Sequence, residues 1–189
     1  MSMGLSVRER GDNVSTFRWI EVRLMETLAA WVPTTPELEV KLLFGAHIWD
    51  TAQHADWLGK RTHELRMSPH HNTEPAAGYM ELLAELAGTP ETTKRIAGFY
   101  DAVLPDLVAR FDGYLARVDH LLDAPTLRIL ERITSDVGRM TTESRTLRDE
   151  IPAVALGDDA WLSELRQRLA AFGDIVQYRP ALSTAAQPA

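Results

Sequence analysis

The stretch from Thr34 to Arg66 most constrains the fold. Its apolar residues Val40, Leu43, Phe44 and Leu58 recur at helical spacing, and His47, Thr51 and His54 fall in the same stripe. Thr34 is placed to cap its start, with Glu37 closing a capping box and Pro36 in the first turn. One long helix is therefore expected, with polar groups on a face that must be buried. Elsewhere no segment alternates with period two over a useful length, so no strand is expected.

The other segments follow the same period. Phe17, Ile20, Leu24, Leu28 and Trp31 define a helix from Val14 to Val32, which Pro33 ends. Residues 67–75 read as a loop, followed by a short crossover helix from Ala76 to Ala87. A long helix from Thr89 to about Leu122 contains Pro105, which should kink or split it. A further helix spans Pro125 to about Glu150, and Asp158 caps an amphipathic one near 160–172. Long helices joined by tight turns pack as antiparallel neighbours. The layout predicts an all-α bundle of four helices with one crossover connection and an extra C-terminal helix. Its domain covers residues 14–175, between flexible segments at 1–13 and 176–189.

Bulk properties narrow the function. A chain of 189 residues, 45% hydrophobic and 25% charged, can bury a sizeable core. The net charge of −7 argues against nucleic acid and anionic membrane partners, both of which select basic faces. No run of about 18 apolar residues would span a membrane. The absence of cysteine removes disulfides, thiolate metal sites and a thiol nucleophile, and with no secretory signal it suggests a cytoplasmic protein.

The candidate chemistry lies in acids and histidines that interrupt apolar stripes. Glu21 sits between Phe17 and Leu24, so a buried partner is expected for its carboxylate. With the first turn centred on residue 34, Glu21 lies opposite His47, with Asp50 one turn along; a small error in that centre brings His54 closer instead. Asp136 interrupts the stripe Ile129, Ile133, Met140, and a turn near residue 124 places it opposite Asp112. Glutamate, aspartate and histidine on adjacent helices are ligand types for hard or borderline metal ions. Arg61, below His54 on its face, could pair with Glu21 or Asp50 or bind an anionic substrate. His63, His70 and His71 form a weaker candidate patch near the loop, and the five tryptophans suggest core, pocket wall or subunit interface.

Over residues 14–148, helix order, crossover and in-stripe acids resemble the ferritin-like superfamily of carboxylate-bridged di-iron proteins. That family takes one glutamate from each of two helices and a Glu-x-x-His from each of the other two. Glu21 matches the first-helix glutamate. The second-helix motif falls on Thr51-Ala-Gln-His54, which keeps only the histidine, and the last falls on Val137-Gly-Arg-Met140, which keeps neither ligand. Asp50 and Asp136 each precede a missing glutamate. The resemblance implies an altered iron or manganese site with Glu21, Asp50, His54, Asp112 and Asp136 as ligand candidates and His47 and Arg61 as catalytic ones. It would oxidise or oxygenate a small organic substrate, in a chain expected to form a homodimer. The alternative is a metal-free bundle that binds a small molecule or a protein partner.

Overall fold

The structure, a computed structural model, describes residues 4–68 and 72–180. These are helical, with no strand among them beyond an isolated bridge between Pro75 and Val176. The order is α1 (Val7–Trp31), a 3-10 turn (Val32–Thr34), α2 (Leu38–Glu64), α3 (Ala77–Ala87) and α4 (Thr92–Ile96). A π-helical segment (Ala97–Val103) leads into α5 (Leu104–Leu115), followed by α6 (Ala124–Glu150), α7 (Pro152–Ala155) and α8 (Asp159–Ala171). No described helix is long and apolar enough to cross a membrane.

α1 begins at Val7, earlier than Val14, because Ser6 and Glu9 form a capping box: the Ser6 hydroxyl accepts from Glu9 N–H and the Glu9 carboxylate from Ser6 N–H. Of the added residues, Gly11, Asp12 and Asn13 are buried although two of them are polar. Asp12 takes an ion pair from Arg179 at 2.6 Å, and the Asn13 amide donates to Glu9 O and Tyr178 Oη. Residues 176–180 are thereby strapped across α1. The expected cap of α2 is also displaced. Thr34 and Thr35 turn their hydroxyls back onto Trp31 O, and Glu37 occupies the N-cap.

That longer connection shifts the helix pairing. α1 and α2 run antiparallel, with Arg18 against Gly59 and Glu21 against His54, so the hairpin centres near residue 38 and not 34. The neighbour of Glu21 is accordingly His54, two turns beyond His47. α2 packs in turn on α6, and the π segment lies against α8.

At Pro105 the segment expected as one long helix is interrupted, running as α4, the π segment and α5. Pro105 lacks an N–H to bond Asp101 O, and the chain widens into the π segment just before it. The freed Asp101 carbonyl accepts from Arg166 Nε at 2.9 Å. α5 stops at Leu115, short of Leu122, because residues 116–123 turn, with Asp119 accepting from the N–H groups of Leu121 and Leu122.

Candidate functional site

Three elements assemble the interior polar site. α1 presents Glu21 and α2 presents His54, both from the centres of apolar stripes and 0% and 1% exposed, while α6 supplies Asp136 at the edge. His54 Nδ1 lies 3.3 Å from Glu21 Oε1, and its Nε2 lies 3.5 Å from Asp136 Oδ2. Neither contact has hydrogen-bond geometry, and both Glu21 oxygens and both His54 nitrogens lack a hydrogen-bond partner. Burial disfavours the His54 imidazolium, but Glu21 and then Asp136 outweigh it and raise the His54 pKa above its ordinary value. Trp57 packs on the imidazole at 5.8 Å, and Arg132 covers Trp57.

Behind Asp136 the network continues along the α2–α6 seam. Arg139 lies 3.6 Å from Asp136, bonds Asp50 at 2.8 Å, and reaches Glu143 at 3.1 Å. Glu143 accepts from His47 Nε2 at 2.8 Å, and His47 Nδ1 meets Tyr100 Oη at 2.7 Å. A carboxylate only accepts, so Nε2 carries the proton and the neutral ring accepts the tyrosine hydroxyl at Nδ1. Burial lowers the His47 pKa against the pull of Glu143, and burial raises that of Tyr100 well above its usual range.

The unfolded chain therefore takes up the His47 proton more readily than the folded one. Between the ordinary value of 6.5 and the lower folded value, stability falls as pH falls. Urea unfolding at pH 7.5 and 5.5 should show a larger acid loss in the wild type than in His47→Asn, by at most about 1.4 kcal/mol per pH unit. Equal losses would show that His47 is not held neutral.

The remaining candidates lie elsewhere. Asp112 is exposed on α5 and does not face Asp136, because that position on α6 turns toward α2. Arg61 pairs with neither Glu21 nor Asp50. Its Nη2 donates to Asp123 at 2.7 Å, Nε to Thr126 at 2.8 Å, and Nη1 to Glu64 at 2.9 Å. Asp123 also accepts from Thr126 and Tyr114 Oη, which makes it the hub of a second buried cluster. His70 and His71 lie outside the described residues. Of the tryptophans, Trp31 and Trp19 are core, whereas Trp49 is exposed.

The sequence does not mark Tyr100, Arg139, Glu143 or Asp123 as site residues. Arg139 and Glu143 stand three and seven residues after Asp136, a helical spacing that could have flagged them. Tyr100, inside the apolar run Gly98-Phe-Tyr-Asp-Ala-Val103, carried no such signal.

The donor set gives a mixed fit to a metal. Two ligands at roughly right angles on one ion, each bonded at about 2.1 Å, lie about 3 Å apart, close to the Glu21–His54 separation. A ligating histidine commonly turns its other nitrogen to a carboxylate, as His54 turns Nε2 toward Asp136. A di-iron centre does not fit: Thr51 Oγ1 donates to His47 O, Asp50 is engaged by Arg139, and Val137 and Met140 are apolar. Among the described residues no group of three histidine, aspartate or glutamate side chains is arranged to hold an ion. Comparison of the chain with known protein families, curated proteins and solved structures finds no match.

Proposed function

We propose that the chain is a ferritin-like four-helix-bundle protein that holds one divalent ion, iron or manganese, on Glu21 and His54. It would use that ion to oxidise or oxygenate a small organic molecule. The observation that carries this reading is Glu21, a fully buried carboxylate with no hydrogen bond to either oxygen, facing an imidazole nitrogen that also lacks one. Such a group calls for an ion, a water or a functional role. An ion with few protein ligands keeps open positions for dioxygen or substrate. Asp136 faces His54 Nε2 at 3.5 Å, an arrangement that would hold the ring for an ion at Nδ1 once Nδ1 gives up its proton. Arg139 offsets the charge of Asp136 and Asp50, and Trp57 screens the imidazole from water. His47 stands seven residues along α2, about 10.5 Å from His54, and serves the Tyr100–Glu143 link. Arg61 anchors Asp123. The same reading takes the chain as a cytoplasmic homodimer, with Leu38, Leu42 and Trp49 on the outer face of α2 as candidate contacts.

A second reading has its own support. Each His54 nitrogen already faces a carboxylate, so the site could be a metal-free ionic network that fixes helix packing. Elemental analysis separates the two. Protein purified without a histidine tag and loaded anaerobically with ferrous iron should retain close to one ion per chain, lost in Glu21→Ala and His54→Ala. Retention of no metal by the wild type would reject the metal reading in favour of the network.

A further inference from the structure

A cleft of about 630 Å³ opens on the side of the molecule formed by α5, the end of α8 and residues 172–176. This volume lies within the range of small-molecule sites. Its apolar wall comes from Ala102, Pro105, Ala109 and Gly113, which follow one another at three- and four-residue steps along the π segment and α5, with Leu169 and Phe172 opposite. Small side chains on that face leave the gap unfilled.

Gly113 bears on whether the gap is a packing accident. It is an exposed helical glycine, and a Cβ there would meet nothing within 4 Å. Packing does not require glycine, and glycine costs a helix about 1 kcal/mol relative to alanine. A larger side chain would project into the cleft's mouth.

Three guanidinium groups line the rim. Arg110 is paired with Asp106 and donates to Gly173 O and Leu169 O, which fastens the end of α8. Arg117 is paired with Asp174. Arg166 differs: Nε donates to the carbonyl freed by Pro105, and its terminal nitrogens have no hydrogen bond or ion pair among the described residues. The nearby carboxylate of Asp101 is already taken in a two-point pair by Arg148. The cleft thus combines an apolar wall with one anchored guanidinium whose outer edge is available. A planar fork of this kind binds carboxylates in preference to neutral groups.

We infer that this cleft is a binding site for a small amphipathic carboxylate, its hydrocarbon part against Ala102, Pro105 and Ala109 and its carboxylate on Arg166. The site is separate from Glu21 and His54 and does not depend on a metal there.

Calorimetric titration with octanoate and with 1-octanol tests it. Octanoate should bind saturably, one per chain, and the alcohol at least about tenfold more weakly, since it offers the guanidinium one neutral acceptor in place of a charged two-point pair. Arg166→Ala should weaken octanoate by about tenfold or more and 1-octanol distinctly less. Ala109→Trp fills the wall and Gly113→Leu the mouth, and either should abolish binding of both probes while circular dichroism stays native. If Ala109→Trp fails to fold, Gly113→Leu, placed in open space, carries the test. The inference is overturned by absence of saturable octanoate binding, by equal affinity for acid and alcohol, or by wild-type binding in a folded Gly113→Leu variant.

Discussion

Replacing Asp123 by alanine is expected to destabilise the protein by about 3–5 kcal/mol, because it strands a buried guanidinium. Asp123 is 1% exposed and receives hydrogen bonds from Arg61, Thr126 and Tyr114, with Arg10 a further 3.8 Å contact. Arg61 has a second carboxylate, Glu64, but that group is largely exposed and contributes little in water. In thermal unfolding the loss corresponds to roughly 6–20 °C for a chain of this size. Asp123→Asn keeps acceptor capacity for one oxygen and should lose distinctly less. An alanine variant within about 1 kcal/mol of wild type would show that the cluster does not hold α2 to the start of α6.

The Glu21–His54 pair is expected to behave differently when one or both members are removed. His54→Ala leaves a fully buried carboxylate with no cation beside it and should cost about 3–5 kcal/mol in urea unfolding. Replacing both, Glu21→Met with His54→Leu, exchanges the ionic pair for apolar side chains of similar volume in a setting lined by Phe17, Leu24 and Leu58. Such exchanges are often neutral or stabilising by about 1–4 kcal/mol, because the desolvation cost of two charges disappears with their attraction. The double variant should therefore be at least as stable as the wild type and retain no iron. If it is as unstable as the single variant, the pair makes contributions to packing that apolar groups cannot replace.

The sequence carried much of this molecule. The short helix at 77–87, the long helices around it and the lack of strands among the described residues follow from the 3.6-residue period and from proline and glycine positions. The polar residues within the stripes, Glu21, His47, Thr51 and His54, are all buried as their spacing requires. A polar residue at the centre of a buried stripe is buried with it, so this much was local information, whereas Asp136 lies at the edge of its stripe and is only partly buried.

Which of those residues meet was not local. A 3-10 turn and three extended residues after α1 moved the hairpin centre by about four positions, which exchanged His47 for His54 as the neighbour of Glu21. An antiparallel register shifts by twice any error in its turn. The partner of Arg61 lies on the loop before α6, and that of His47 on the π-helical segment just before Pro105, more than fifty residues away. Periodicity reports the direction a side chain faces along its own helix. The element opposite it depends on connection lengths and on how α6 rotates against α2, and those are fixed only when the whole core closes.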